Sequence, residues 1–331
     1  MVSLEGKRVL LFSPYGATIH YGEAIKKELE KRGAIVHGYD ERPSQSVISK
    51  IVIRLFKKKV PQIFDHYIQS VINKEKDFPI DYCLICRGEA FTPKTIELLR
   101  THFPNAKVIL YFWDILSCAD VRDNIPYADR AMSFDPQDVE ENEGLEYRPT
   151  FFVNDYLNVA SVDNAKYDVC FIGSMRPNRY KIIKQIDAFF DSIGLRFYKY
   201  LYVPSRLVYI KDFITHFPYI GIKQVQFTPL SLEGNIKVLA DSKAIFDINN
   251  PVQKSLSTRA YEAMAAKRKY ITTNPEVKKY DFYHPQNIAV VDMDNPQIDR
   301  TFFTTPFHDV AEEVMRHYSV AGLVDDLFID I

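Results

Sequence analysis

The chain has 331 residues, 47% of them hydrophobic and 26% charged, and its formal net charge is −1. This length allows two domains of ordinary size, and the composition is that of a globular protein. The near-neutral charge excludes a general nucleic-acid-binding protein, because such proteins need a strong basic footprint.

The first predicted elements form one βαβ unit. Residues 8–13 are predicted to be a strand, residues 21–32 a helix and residues 34–39 a second strand. This order favours a parallel sheet. The first loop lacks the closely spaced glycines of a dinucleotide fingerprint, so the sequence does not support NAD binding.

Residues 43–77 are predicted to be helical, with an interruption at Pro61. Within them, residues 48–59 place apolar side chains on one face and lysines and arginines on the other. A basic amphipathic helix suits an anionic membrane surface, but it also suits a helix that packs on the sheet with a solvated basic face. Both interpretations stay open.

Charged side chains follow the next two predicted strands. Residues 81–86 precede Arg87 and Glu89, and residues 107–112 precede Asp114. Ligands of open α/β sheets bind beyond the carboxyl ends of the strands, so these side chains point to the same rim. Glu89 and Asp114 are candidate general bases, and the alternative for each is a loop ion pair or a helix cap.

The pattern restarts after a polar stretch, residues 154–166, which is the best candidate for an interdomain linker. A strand at residues 167–172 leads into a loop, and the loop opens a helix at residues 180–193. Gly173 and Ser174 at this turn would admit a phosphate to the backbone, with Arg176 and Arg179 beside it. The alternative is a glycine turn with solvated arginines.

A second candidate phosphate site lies in residues 253–274. Ser257 is the predicted N-cap of a short helix that begins at Thr258, and Arg259 and Glu262 lie three residues apart on one side of it. The helix start suits a phosphate, and a carboxylate one turn further in can accept hydrogen bonds from a ribose diol. These residues predict a nucleotide-diphosphate site, and the alternative is an amphipathic helix with a local Arg–Glu pair.

Each half begins with a strand, a polar loop, a helix and a second strand. We therefore expect an α/β protein with two Rossmann-like parallel-sheet domains facing across a cleft. The predicted boundaries are 1–155 for an N-terminal acceptor domain and 156–305 for a C-terminal donor domain. Residues 306–331 are predicted to form a helical segment that packs back on the N-terminal domain.

The sequence also suggests a compartment. Residues 1–7 are polar and only a short apolar run follows, so no signal peptide is visible. No apolar stretch is long enough to cross a membrane. Cys83 and Cys86 have the spacing of half a zinc site, but no second close pair exists, so we expect buried, inert thiols. A cytoplasmic protein without a bound metal is the expectation.

At this point the chain resembles GT-B glycosyltransferases of the bacterial lipopolysaccharide and capsule type, close to CgeB-like and group 1-like proteins. In the second half the resemblance is carried by residues 171–174 with Arg179, 241–244 with Asp247, 253–259 with Glu262, 272–274, 280–283 and 287–288. In the first half, residues 86–89, 111–114 and 133–135 look similar to the same group. The chain has Lys254 and Ser255 where the family pattern leads us to expect glycine.

The resemblance implies the GT-B fold and a nucleotide-sugar donor held by the C-terminal domain. Glu262 would bind the donor ribose, while Arg176, Arg179 and Arg259 would neutralise the diphosphate without a metal or other cofactor. The acceptor would be a glycan or a lipid-linked hydroxyl, and residues 48–59 would contact the inner face of the cytoplasmic membrane. Asp114, then Glu89, then His20 in the first loop are the candidate bases for the acceptor proton.

Two alternatives stay open. A nucleotide-sugar epimerase or hydrolase of the same fold would use the same donor site but need no acceptor. A non-catalytic ligand-binding partner in polysaccharide assembly would bind without turnover.

Overall fold

The computed structural model describes residues 1–16, 18–43, 60–118, 121–162, 165–216 and 220–331. The chain divides into two compact units, one of residues 1–150 with 319–331 and the other of residues 151–318. The basic amphipathic segment predicted at residues 48–59 lies outside the described residues. Residues 154–162 of the predicted linker belong to the second unit, and the acceptor and donor roles of the two units stay predictions.

The first unit contains a parallel sheet that has six strands among the described residues, in the order β2-β1-β3-β4-β5-β6. The strands are β1 (Arg8–Ser13), β2 (Ile35–Asp40), β3 (Tyr82–Cys86), β4 (Lys107–Phe112), β5 (Arg130–Ser133) and β6 (Glu146–Tyr147). The central strands are nearly continuous apolar runs because helices cover both faces of such a sheet. Cys83 and Cys86 are free and buried in β3, as predicted.

The helices that connect these strands are α1 (Ile19–Lys31), α2 (Val60–Glu75), α3 (Pro93–His102) and α4 (Pro136–Glu141). Local signals set their ends. Helix α1 stops before Gly33, which has φ +90°, a conformation that glycine adopts without strain. Helix α3 begins with a capping box, in which the side chains of Thr92 and Thr95 each accept a hydrogen bond from the other's backbone N–H.

The second unit contains another parallel sheet, in the order β12-β11-β10-β7-β8-β9 among the described residues. Its strands are β7 (Tyr167–Ser174), β8 (Phe197–Tyr202), β9 (Val225–Gln226), β10 (Ser242–Asp247), β11 (Lys269–Thr272) and β12 (Ile288–Val290). Its helices are α5 (Pro177–Ser192), α6 (Arg206–His216), α7 (Leu232–Ala240), α8 (Thr258–Ala265) and α9 (Glu312–His317). An aromatic cluster on one face of the sheet packs edge to face, with Phe190 5.0 Å from Phe197 and 6.0 Å from Phe246.

The last helix of the chain, α10 (Val320–Phe328), belongs to the first unit. Arg32, at the end of α1, joins the two helices: its side chain contacts Asp325 at 2.6 Å and donates to the carbonyl of Ala321 at 2.6 Å. Arg130 at the start of β5 also donates to the carbonyl of Ile329 at 2.7 Å. Arg130 therefore satisfies a carbonyl group at the C-terminal end of the terminal helix, where carbonyls have no partner within the helix, and Arg32 holds the first turn of that helix against α1.

One predicted helix is shorter than expected. The sequence predicts a helix at residues 307–318, whereas α9 spans Glu312–His317. The reason is a side chain that takes both backbone groups of His308. Asn287 accepts from the His308 N–H at 2.8 Å and donates to the His308 carbonyl at 2.7 Å, which holds this residue outside a helix.

Candidate functional site

In the second unit, β7 and β10 are neighbours at the centre of the sheet. From β7 the chain goes on to β8 and β9 on one side, and from β10 to β11 and β12 on the other. This is a topological switch point, where the loops beyond the carboxyl ends of two adjacent strands leave a crevice for a ligand. The loops concerned connect β7 to α5 and β10 to α8. They contain both of the candidate phosphate segments in the sequence.

Arg179 connects the two strand ends. Its Nη1 donates to the carbonyl oxygen of Ser174 at 3.1 Å, and its Nη2 donates to that of Ile248 at 3.0 Å. Burial lowers the pKa of Arg179, Arg176 acts in the same direction, and the Asp247 carboxylate opposes them. The guanidinium therefore places a fixed cation at the switch point, with the exposed side chain of Arg176 three residues before it.

Ser257 stands at the N-cap position of α8 as predicted, but its side chain does not cap the helix. The Ser257 hydroxyl instead donates to Oδ2 of Asp247 at 2.9 Å, and the Tyr270 hydroxyl donates to the same oxygen at 2.8 Å. The predicted N-cap position is therefore confirmed, although the Ser257 oxygen accepts no hydrogen bond from the N–H groups of α8.

Helix α5 resembles α8 at its start. Arg176 occupies its N-cap position and makes no side-chain capping bond. The N-terminal N–H groups and the dipole make a helix start attractive to an anion. Two such helix starts, at Thr258 and Pro177, follow the two strands that border the crevice.

Gly173 and Ser174 are the last residues of β7. A Cβ atom on Gly173 would lie 2.7 Å from the Phe171 ring, closer than carbon atoms approach. The glycine therefore lets the strand pack on that ring, while the Ser174 side chain is exposed. Both residues lie at the end of β7 beside the switch point, and their role in binding stays a prediction.

Arg259 and Glu262 form an ion pair on α8. Arg259 also donates to Oδ1 of Asn235 on α7 at 3.2 Å, and Glu262 is only 1% exposed. Burial and the Glu262 carboxylate raise the pKa of Tyr156, which lies in the 3₁₀ helix Asn154–Asn158. Through Asn235, this pair ties α8 to α7. It corresponds to the local Arg–Glu alternative that the sequence left open.

The first unit has a switch point of its own between β1 and β3. Arg87, directly after β3, contacts Glu89 at 3.0 Å through Nη2 and Asp114 at 2.8 Å through Nε. Arg42 contacts the same Glu89 carboxylate at 2.5 Å. The structure therefore brings the two predicted carboxylates together around one arginine, beyond the carboxyl ends of β3 and β4.

The backbone of Arg87 is in the left-handed region, with φ +80°, and Gly88 follows with φ +79°. A left-handed conformation costs a non-glycine residue roughly 1 kcal/mol or more. The N–H of Arg87 donates to the carbonyl of Tyr111 at 2.8 Å, which holds the turn in place. This backbone strain occurs at the residue that joins Glu89 and Asp114.

His20, the third candidate base, lies in the first turn of α1. Its ring centroid is 4.2 Å from that of Tyr21. His20 is on the connection that follows β1, whereas the Arg87 ion pairs join residues that follow β3 and β4. Among the three candidate bases, Glu89 and Asp114 are therefore the two that Arg87 brings together.

Glu41 belongs to the same cluster, although it is not among the residues that the sequence predicts for the site. Its side chain is 1% exposed, and Oε1 accepts a hydrogen bond from the Ala90 N–H at 3.0 Å. Burial raises the pKa of Glu41 to about 8, although the Ala90 hydrogen bond, Arg87 and Arg42 oppose the shift. Glu41 directly follows β2, so the rule that selected Glu89 and Asp114 would also have selected it.

Neither a membrane-spanning helix nor a metal-binding cluster is found in the part of the chain that the structure describes. In those residues no helix combines the length and the apolarity that crossing a bilayer requires. No group of three or more His, Cys, Asp and Glu side chains in the described ranges is placed to hold a metal ion. The Asp292 carboxylate, in a sequence that mimics a metal motif, accepts from the Asp294 N–H at 2.9 Å, as in a turn.

No protein-family model matches the chain, and no curated protein matches its sequence. Solved structures do match its fold. The catalytic domain of starch synthase IV from Arabidopsis thaliana, bound to ADP and acarbose, is 10% identical and has a TM-score of 0.58, with 96% of this chain and 95% of that chain covered. MurG from Acinetobacter baumannii is 10% identical with a TM-score of 0.52, covering 97% and 99% of the two chains.

An enzyme of a different class is also similar. The UDP-GlcNAc 2-epimerase from Methanocaldococcus jannaschii is 11% identical with a TM-score of 0.52, covering 97% of this chain and 99% of that chain. Identities this low show the fold alone. Together with the two parallel sheets, the comparisons show that this chain has the GT-B fold, built of two Rossmann-like units.

Proposed function

We propose that the protein is a glycosyltransferase of cell-surface polysaccharide synthesis, which moves a sugar from a nucleotide-sugar donor to a hydroxyl of a glycan or lipid-linked acceptor. The observation that carries the proposal is the position of Arg179, which joins the ends of β7 and β10 at the switch point of the second unit. A fixed arginine there, beside two helix starts without a side-chain cap, suits a diphosphate.

In this proposal the diphosphate binds at the β7–α5 loop and the start of α8. Arg179 and Arg176 supply the positive charge, while the backbone at Ser174, directly after Gly173, and at Thr258 supplies hydrogen-bond donors. As the glycosidic bond to the leaving group breaks, negative charge develops on the diphosphate. Preorganised arginines and helix N–H groups stabilise that charge, so the mechanism that we propose uses no metal.

Glu262 has two candidate roles in this account, a ligand of the donor ribose or a residue that holds α8 in place. Its burial and its ion pair with Arg259 favour the second role. Arg259 is then a partner of Glu262 and Asn235 rather than the main counterion of the diphosphate. The nucleotide affinity and the stability of Glu262 variants separate these roles.

For the acceptor proton we propose a carboxylate of the first unit. Asp114 is the first choice because its side chain is half exposed, whereas Glu89 is less exposed and contacts both Arg42 and Arg87. A general base must be within hydrogen-bond reach of the hydroxyl that it deprotonates, so exposure matters first. Glu89 and then His20 are the further candidates.

A second candidate function is nucleotide-sugar epimerisation, which the similarity to the Methanocaldococcus jannaschii epimerase favours. Such an enzyme would use the same phosphate-binding elements of the second unit. It would convert one nucleotide sugar into another and would need no acceptor. The donor site alone therefore does not separate the two reactions, and the products do.

The test is to incubate the protein with UDP-, GDP-, ADP- and dTDP-sugars, with and without EDTA, and to identify the products. A transferase releases the nucleotide diphosphate slowly by hydrolysis and faster when an acceptor glycan is added. An epimerase yields a second nucleotide sugar without release. If a folded protein binds none of these compounds and changes none of them, both enzymatic proposals fail.

A further inference from the structure

Helix α6 of the second unit exposes an apolar stripe. Its members lie at positions i, i+3, i+6 and i+7, which share one face of a helix. They are exposed by 78%, 49%, 51% and 68%, respectively: Leu207, Ile210, Phe213 and Ile214. Large side chains exposed together in this way mark a surface that binds something apolar.

The opposite side of α6 fixes the helix in this orientation. Tyr209 is buried in the core of the unit, and its hydroxyl donates to the carbonyl of Ile220 at 2.8 Å. Asp212 is also buried. A rotation of the helix that hid the apolar stripe would bring Tyr209 and Asp212 out of the interior, so the stripe stays exposed within this unit.

The exposed charges of α6 itself are positive. Its one acidic residue, Asp212, is buried. Its basic residues Arg206 and Lys211 are exposed. At helical spacing these two residues lie on or beside the stripe. The face is therefore both apolar and cationic.

We propose that this α6 face, formed by Leu207, Ile210, Phe213 and Ile214 with Arg206 and Lys211, binds the surface of an anionic lipid bilayer. Apolar side chains of an amphipathic helix enter the boundary between headgroups and acyl chains, and the cations at its rim attract anionic headgroups. The helix has 11 residues, so it lies on the bilayer and does not cross it.

The positive rim also argues against a second copy of the chain as the occupant. A two-fold contact through this face would bring the same patch of both copies together. Arg206 and Lys211 would then meet their own counterparts, and like charges across an interface oppose association. An anionic bilayer removes this repulsion and supplies the apolar layer.

This inference does not depend on the glycosyltransferase proposal, and it concerns a different segment from residues 48–59. The experiment sediments the full chain with phosphatidylcholine vesicles that either contain or lack phosphatidylglycerol, at low and high salt. We expect binding to the phosphatidylglycerol vesicles that decreases as salt rises. Circular dichroism of every variant confirms that it is folded.

Variants assign the binding to the face. Leu207→Ser with Ile214→Ser should weaken vesicle binding roughly tenfold or more, because two apolar side chains leave the interface. The matched control, Leu157→Ser with Val252→Ser, removes two exposed apolar side chains elsewhere in the unit and should change nothing. Lys211→Glu should weaken binding about fivefold or more, whereas Lys278→Glu, on another element, should not.

Three results would overturn the proposal. The first is a folded protein that does not sediment with phosphatidylglycerol vesicles. The second is vesicle binding that the Leu207→Ser/Ile214→Ser variant keeps and that Lys57→Glu with Lys58→Glu abolishes, which would assign the binding to residues 48–59. The third is a concentration-dependent dimer in light scattering that the Leu207→Ser/Ile214→Ser variant abolishes, which would assign the face to a second copy.

Discussion

The hydroxyl of Ser257 donates a hydrogen bond to Oδ2 of Asp247 at 2.9 Å, and so the serine at the start of α8 is bound to the end of β10 instead of its own helix. The N-terminus of α8 has no side-chain cap. The Ser257 hydrogen bond also fixes the carboxylate that lies near Arg179. The arrangement of the candidate phosphate site therefore depends on a contact between the end of β10 and the start of α8.

A double-mutant cycle tests this relationship. Ser257→Ala and Asp247→Asn should each lower the free energy of unfolding, and their effects should be non-additive by about 1 kcal/mol because they share one charge-assisted hydrogen bond. Ser231 is the matched control, because its hydroxyl does cap its helix by accepting from the Gly234 N–H at 3.1 Å. Ser231→Ala combined with Asp247→Asn should be additive. An additive Ser257 cycle would show that the contact stabilises nothing.

The Arg259–Glu262 pair makes a second prediction. Glu262→Ala removes one partner of an ion pair whose carboxylate is 1% exposed and whose arginine side chain is 20% exposed. Breaking a buried pair costs about 3–5 kcal/mol, and the partial exposure of Arg259 reduces this to about 2–3 kcal/mol in chemical denaturation. If stability is unchanged while nucleotide affinity falls, Glu262 is a ribose ligand and not a structural residue.

The pH dependence of stability gives a third prediction, because burial raises the pKa of Glu41 to about 8. Below about pH 4.5 the carboxyl is protonated in both the folded and the unfolded chain, so it has no effect. Between this value and pH 8 the folded chain keeps a proton that the unfolded chain has lost. Stability therefore falls as pH rises through this range, by at most about 1.4 kcal/mol per pH unit from this group.

Glu41→Gln removes this titration and keeps an oxygen that can accept the Ala90 hydrogen bond. The melting temperature of the variant, relative to the natural chain, should therefore increase steadily from pH 5 to about pH 8. Glu97→Gln, at an exposed position on α3, serves as the control and should show no such trend. A constant difference between Glu41→Gln and the natural chain would mean that Glu41 ionises normally in the folded protein.

Much of the fold could be predicted because its strands are short apolar runs bounded by turn residues. Residues 8–13 and 107–112 are strands with the predicted bounds. The sequence also predicts a helix at residues 93–102, and α3 has these bounds. Thr92 and Pro93 mark the start of that helix and the hydrophobic spacing gives its length. These signals come from residues close together in the chain, so they can be recognised from the sequence alone.

The contacts that build the candidate site join residues far apart in the sequence. Local sequence patterns therefore do not predict them. Glu41 meets Ala90 across 49 residues, and Arg179 reaches Ile248 across 69. Ser257 looked like a cap because its nearest potential partners in sequence are its own helix N–H groups. Its actual acceptor lies at the end of a different strand. Knowing the strand order would have brought these residues together, since the carboxyl ends of neighbouring strands meet.

Arg179 is the residue that we propose to hold the diphosphate at the switch point of the second unit. The measurement is titration calorimetry of the natural chain with UDP, GDP, CDP, ADP and dTDP in EDTA, repeated with Arg179→Ala. Arg300→Ala, an exposed arginine elsewhere in the unit, is the matched control. The melting profile of each variant reports whether the fold around the site is intact.

We predict that at least one diphosphate binds without a metal and that Arg179→Ala weakens it about tenfold to a hundredfold, because a charge-assisted hydrogen bond contributes about 1.5–3 kcal/mol. Arg300→Ala should bind like the natural chain. Equal affinity of the folded Arg179→Ala variant and the natural chain would contradict the proposed site.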